Sequence, residues 1–278
     1  MSVDLHSHSN ASDGTDTPTE LVANAAKAGV TTLALTDHDN LDGITEAQVA
    51  AQEHRIELIS GTELSVAWPY GAMHMLVYFL EPGTGPLQNR LVALQEGRAD
   101  RNQRVVAALI DLGIDISYDE VAQEAGGTGV GRPHIAAVLV RKGLVPDIKA
   151  AFEEYLAEGR PAYQERYRLD YAEAARLAIA SNAVPVVAHP HTIGVSAEQY
   201  SGAFKEIAEA GIMGIECYYT EYSAEQRSHL ASIAQELDLL ATGGSDYHGS
   251  YRPEISLGSG RGDLAVPSDI VEQMHLRR

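Results

Sequence analysis

His6 and His8, within Asp4-Leu5-His6-Ser7-His8-Ser9, stand one residue apart in a short β-type run. Alternate residues of a strand face the same side, so both imidazoles can reach one cation. Imidazole is a common ligand for zinc, manganese or iron, but a bare His-x-His also occurs in surface or packed histidines. Six further motifs along the chain add the weight. Asp13-Gly14, Thr36-Asp37-His38-Asp39, Gly61-Thr62-Glu63, Met73-His74, Ala188-His189-Pro190 and Ser245-Asp246-Tyr247-His248 each put a metal-type ligand at the end of an apolar run. The candidate ligands are therefore His6, His8, Asp13, His38, Glu63, His74, His189, Asp246 and His248. Mixed nitrogen and oxygen donors without thiolate suit manganese, zinc or ferrous iron, and disfavour an all-oxygen magnesium or calcium site. Two or three such ions, held about 3.5 to 4 Å apart, polarise a phosphoryl oxygen, generate a hydroxide near neutral pH and steady the leaving oxygen. That is the chemistry of a phosphoesterase. Asp37, next to His38, is read as a partner that orients a histidine, with direct proton transfer as the alternative.

These residues need a scaffold that opens strand ends on one face. The first third alternates strand and helix: a strand at 2–5, a helix from Pro18 with Thr17 as its cap, a strand at 30–35, a helix at 41–54, a strand from Ile56 leading to Glu63, and another at 73–80. Ligands at the C-terminal ends of parallel strands are what a barrel predicts. From 86 to 165 the pattern turns helical, with long pieces at 87–112, 118–125, 133–141 and 147–156 and a glycine-rich break at Gly126-Gly127-Thr128-Gly129. Alternation then resumes with a helix at 171–181 and a strand at 184–188, followed by a helix at 197–210, a strand at 213–218, a helix at 224–237 and a strand at 239–242. The economical division is a barrel of residues 1–85 and 166–278 interrupted by a helical insertion, 86–165, serving as a substrate cap. The tail after Gly258 carries no assignable pattern.

Composition sets the outer bounds. A chain of 278 residues, 45% hydrophobic, can bury a substantial core. The single cysteine, Cys217, excludes an internal disulfide framework and is expected to pack in the barrel. No stretch nears the roughly 20 apolar residues of a membrane span, and no basic leader is present, so the expectation is a soluble cytoplasmic protein with no membrane partner. A formal net charge of −19 argues against a duplex-DNA surface, which would show a basic face.

In the order and identity of these motifs the sequence resembles the PHP (polymerase and histidinol phosphatase) metallo-phosphoesterases. The resemblance implies an α/β fold, a distorted (β/α)7 TIM-like barrel with a helical insertion, and a trinuclear metal centre. It implies that His6, His8 and Asp246 hold one ion, that His74 and His189 hold a second, with Glu63 bridging, and that Asp13, His38 and His248 hold the third. It implies two or three divalent ions, manganese first and zinc or iron next. Within the family the insertion resembles that of bacterial enzymes acting on 3',5'-nucleotide bisphosphates, some of which trim RNA 5' ends as 5'-3' exoribonucleases. The residues carrying that narrower likeness are Glu96-Gly97-Arg98 with Arg101, and Gly131-Arg132-Pro133-His134. The implied reaction is hydrolysis of the 3'-phosphate by a metal-bound hydroxide, with Arg98, Arg101, Arg132 and His134 as phosphate contacts. The partner is then a small phosphorylated nucleotide or a short RNA end. Similar enzymes carry an arginine soon after His-Pro, where this chain has His191-Thr192; His191 is the substitute contact, and a pH-dependent one.

Other readings attach to the same residues. Arg98, Arg101 and Arg104 recur every three positions, which fits either a basic stripe or solvated pairs with Glu96 and Asp100. Arg132 and His134 either begin a helix or use its N-terminus to bind an anion. At the level of the chain, histidinol phosphate is the rival substrate, and an amidohydrolase acting on C–N bonds the rival class. Glu63 at the bridging position, and the absence of lysine from strand ends, weigh against the latter. A non-catalytic metal module of the kind attached to polymerases is a third class, from which ligand losses are expected, and none is found.

Overall fold

The computed structural model describes residues 2–126 and 129–278. Of the glycine-rich break, Gly127 and Thr128 lie outside the described residues. Strands β1 (Ser2–Asp4), β2 (Val30–Leu35), β3 (Glu57–Ala67), β4 (Met73–Tyr78), β5 (Leu169–Asp170), β6 (Val184–Ala188), β7 (Gly214–Tyr219) and β8 (Leu240–Gly244) form an eight-stranded sheet. Its order is β1-β2-β3-β4-β6-β7-β8, with β5 joined to β3. Leu5 N donates to Gly243 O and Asp246 N to His6 O, so the ends of β1 and β8 close on each other and curl the sheet into a barrel.

The barrel is not parallel throughout. β4 runs antiparallel to both β3 and β6, contrary to the all-parallel expectation. The cause is the connection: only residues 68–72 separate β3 from β4, whereas a parallel crossover needs a dozen or more. Two ligand positions shift accordingly. Glu63 lies inside the long strand β3, and His74 is at the start of β4. Reversal of β4 brings its N-terminal end to the mouth where the parallel strands finish, so His74 still faces the others.

Helices α1 (Pro18–Lys27), α2 (Ile44–His54), α7 (Tyr171–Ala180), α8 (Tyr200–Glu209) and α9 (Ala224–Glu236) surround the barrel. Thr17 accepts from Glu20 N, and Glu20 reaches back to the Thr17 backbone, closing the box that starts α1. Their inner faces, with Leu21, Leu33, Met75, Phe204 and Ile215, make the larger apolar cluster, which includes Cys217. The tail left unassigned in the sequence forms α10 (Ile270–Arg277), whose Ile270, Val271 and Met274 pack with Val3, Leu76 and Val184 at the barrel's interior end.

Helices α3 (Gln88–Asp111), α4 (Tyr118–Ala125), α5 (Arg132–Arg141) and α6 (Ile148–Ala151), with a π-helical turn Phe152–Leu156, occupy the stretch between β4 and β5. They bury a separate cluster built from Val105, Leu109, Val121, Ile135, Leu139 and Leu156. The first turns of α3 belong instead to the barrel's cluster through Leu87, Leu91 and Leu94. One helix thus spans both layers, and its middle stretch lies over the barrel mouth. No helix among the described residues is long and apolar enough to cross a membrane.

Candidate metal centre and the cleft above it

Loops after β1 and β8 carry the first donors. His8 N donates to Tyr247 O at 3.0 Å, locking the two loops in register. Glycine at 244 is required here, since a Cβ would collide with the His6 backbone nitrogen and side chain. His6 Nε2 and His8 Nε2 sit 3.3 and 3.2 Å from Glu63 Oε2, and each is 3.3 Å from Asp246 Oδ1. The other oxygen of Glu63 faces a second set: His74 Nδ1 at 2.7 Å and His189 Nε2 at 3.0 Å. Asp13 joins a third set, 3.6 Å from His38 Nε2 and 3.5 Å from His248 Nε2, with His8 Nδ1 at 3.8 Å. Within each set the donor atoms lie within 4.8 Å of one another. All the candidate ligands converge on this mouth, and His8 faces both the first and the third set.

The arrangement fits divalent cations on chemical grounds. His6 Nε2 and His8 Nε2 lie 3.1 Å apart and aim at the same two carboxylates, so their lone pairs meet at one point. Several rings have their other nitrogen committed elsewhere. His6 Nδ1 donates to Glu216 Oε1 at 2.9 Å, and His248 Nδ1 to the Asp246 carbonyl at 2.9 Å. Committing Nδ1 in this way leaves Nε2 as an acceptor, the form a metal requires. Among the described residues, His8 Nδ1 is buried with no hydrogen-bond partner. Burial pushes the carboxyls of Glu63, Asp13 and Asp246 up, but the surrounding imidazoles outweigh it and hold all three well below the usual range. They are anionic donors.

Residues beyond these ligands fix their aim. Glu216, absent from the expected site, lies inside β7 with no exposure; its Oε2 also accepts from His189 N at 2.6 Å. A carboxylate in the apolar run Gly214-Ile215-Glu216-Cys217 was the available signal. Asp246 Oδ2 accepts from Tyr219 Oη at 2.9 Å and Arg252 Nη1 at 3.0 Å, turning Oδ1 toward His6 and His8. His189 and Asp246 have φ of +25° and +56°, strained values held by these bonds.

Asp37 serves another purpose than the one expected. It accepts from Ser9 N, Ser9 Oγ and Ser12 Oγ at 2.8, 2.6 and 2.6 Å, and hydrogen-bonds to no histidine. Its carboxylate anchors the loop that carries Asp13. It is buried and absent from the walls of the cleft.

Over the donors opens a cleft of about 660 Å³, lined also by Arg98, Arg101, Arg132 and Arg166. Arg98 reaches Asp39 Oδ2 through Nε at 3.0 Å and Nη2 at 2.7 Å, and Arg166 Nη1 reaches the same oxygen at 2.7 Å. Asp39 thereby ties both arginines to the residue after His38. Arg166 was not read from the sequence, although the alternation Arg166-Tyr167-Arg168 just before β5 was an available signal. His191 lines the cleft, its Nδ1 3.0 Å from Tyr222 Oη. His134 does not line it. As the third residue of α5 its Nδ1 accepts from Gly131 N at 2.8 Å, and the ring is buried as a helix cap, which corrects the phosphate-contact expectation. Arg104 is the solvated case, paired with Asp100 at 3.0 Å one turn back.

Comparison with known proteins agrees with this geometry. The PHP domain family matches residues 4–183. A 3',5'-nucleoside bisphosphate phosphatase of Chromobacterium violaceum is 32% identical over 247 residues, covering 88% of this chain and 87% of that protein. A 5'-3' exoribonuclease of Haemophilus influenzae is 36% identical over 248 residues, covering 88% and 89%. The crystal structure of a metal-dependent phosphoesterase from Bifidobacterium adolescentis superposes with a TM-score of 0.87 at 29% identity, covering 99% of this chain and 96% of that one. With the donor sets and these likenesses together, the chain belongs to the PHP domain family and is a metal-dependent hydrolase of phosphoric esters.

Proposed function

We propose that the protein removes the 3'-phosphate from 3',5'-nucleotide bisphosphates. The observation carrying this reading is that one cleft has two anion-seeking ends, the cation-binding donors on its floor and the arginines on its wall. A substrate with a phosphate at each end matches both. In this reading His6, His8 and Asp246 hold one ion and His74 and His189 a second, with Glu63 between them, while Asp13, His38 and His248 hold the third. Manganese is the first candidate, and zinc or iron the next. When bound, such ions polarise the phosphoryl group and activate water.

The side chains of this chain do the remaining work. Glu216 and the Tyr219–Arg252 pair hold His6 and Asp246 on target. Arg98 and Arg166, braced by Asp39, present fixed guanidinium edges, and Arg101 and Arg132 complete the wall; a planar fork binds two phosphate oxygens at once. The insertion, 86–165, acts as a cap that brings this wall over the metals and orients the sugar. Trimming of a 5'-phosphorylated RNA end uses the same two ends, and likeness to the Haemophilus exoribonuclease supports it as a second reading.

Arg132→Ala is the test. Losing one charge-assisted contact costs on the order of 1.5 to 3 kcal/mol, a roughly ten- to hundred-fold fall in kcat/KM on the bisphosphate. A small monoester that never reaches the wall should be cleaved almost as before. Equal losses on both substrates would remove Arg132 from substrate recognition.

A further inference from the structure

A second cavity, about 400 Å³, adjoins the cleft. Arg101, Arg132 and Arg166 line both spaces, while Arg168 and Tyr163 line only the smaller one. Among the candidate metal ligands only His74 touches it. The size falls within the roughly 300 to 1,000 Å³ of ligand-holding pockets.

Charge makes this cavity unusual. Among the described residues, Arg101, Arg132 and Arg168 have no carboxylate within 4.0 Å. Their polar partners are neutral: Asn102 Oδ1 for Arg101 at 2.9 Å, the Leu156 carbonyl for Arg132 at 3.3 Å, and Tyr163 Oη for Arg168 at 3.1 Å. The one acidic residue on these walls, Glu158, is exposed. Arg101 is 4% exposed, so its charge is largely withdrawn from water without an anion to balance it. Burial, then the charge of Arg98, with Arg166 and Arg168 adding to it, brings Arg132 down to about 10. Within a chain of net charge −19, this enclave of positive potential is matched to a polyanion.

We infer that the smaller cavity is a subsite for an additional phosphoryl group, the outer phosphate of a nucleotide that carries a 5'-diphosphate beside its 3'-phosphate. The inference rests on the bisphosphate reading for the direction of the substrate. With the 3'-phosphate on the floor, the 5'-phosphate meets Arg98, Arg101, Arg132 and Arg166. The far sides of three of these face the smaller cavity, so a group joined to the 5'-phosphate enters it. Arg168 is the specificity residue, because it lines only that space.

The test uses products, which lack the 3'-phosphate. Binding of a nucleoside 5'-monophosphate and of the corresponding 5'-diphosphate to the manganese-loaded protein is measured by calorimetry. One further charge-assisted contact predicts tighter binding of the diphosphate by about ten- to hundred-fold. In Arg168→Gln, which removes the charge and keeps a polar end, that advantage should fall to about threefold or less, and Arg168→Lys, which keeps the charge but not the planar fork, should retain part of it. Equal affinities in the native protein would overturn the inference. So would an advantage that survives Arg168→Gln, since the extra phosphate would then sit on the metals. Hydrolysis of the bisphosphate is scored in a separate assay, so failure of that reaction is distinguishable from failure of this subsite.

Discussion

In the proposed reading Glu63 sets how many ions the floor keeps, because its two oxygens face different donor sets: Oε2 meets His6 and His8, and Oε1 meets His74 and His189. Asp13 touches only the third set. Neutralising each carboxylate should therefore give different metal contents. Glu63→Gln should lose about two ions per chain and Asp13→Asn about one, read by elemental analysis of protein purified without chelator. Turnover should fall further in the Glu63 variant. Equal metal loss in the two variants would show that Glu63 does not bridge. The residues supporting this floor were harder to read from sequence than the ligands. His-x-His and the strand-end motifs advertise themselves by type and spacing, whereas Glu216 and Arg252 matter only through the residues they meet, Glu216 reaching His6 from 210 positions away. Asp37 and His134 went the other way. Asp37 beside His38 suggested a partner orienting a histidine, and His134 in Gly131-Arg132-Pro133-His134 a phosphate contact, but the hydroxyls of Ser9 and Ser12 and the backbone of Gly131 claim them first.

Between elements, Asp39 is the joint that ties α3 and the segment before β5 to the loop after β2. It follows β2, has φ of +56°, and receives Arg98 from α3 and Arg166 from the segment returning to the barrel. Asp39 is fully buried, and the Arg98 and Arg166 side chains are only 13% and 5% exposed. Removing one member of such a buried group leaves charge without compensation, so Asp39→Ala should destabilise the protein by about 3 to 5 kcal/mol. Chemical denaturation measures it. A loss below about 1 kcal/mol would mean that water already compensates the arginines. Most helices were legible because their apolar periodicity and caps are local; Thr17 with Glu20 is the clearest case. The reversed direction of β4 was recoverable from the short connection at 68–72, whereas β5 spans only Leu169–Asp170 and exists through its pairing with β3. α10 was missed because its apolar residues, Ile270, Val271 and Met274, are too few to show a period, and their burial depends on the barrel end beneath them.

At the scale of the molecule, an acidic chain of net charge −19 concentrates its arginines over a floor of histidines and carboxylates. Bound cations would turn that floor positive, so both ends of the cleft would attract phosphate. In the proposed reading, this is how an acidic protein acts on nucleotides. In that reading, one substrate uses both ends. Its most direct test is steady-state phosphate release by the manganese-loaded enzyme from a nucleoside 3',5'-bisphosphate, the matching 3'-monophosphate, the matching 5'-monophosphate and histidinol phosphate. Contacts made only to the second phosphate should raise kcat/KM for the bisphosphate over the 3'-monophosphate by about ten- to hundred-fold or more, with the 5'-monophosphate and histidinol phosphate lower still. Equal kcat/KM for the bisphosphate and the 3'-monophosphate would contradict the account, as would a preference for histidinol phosphate.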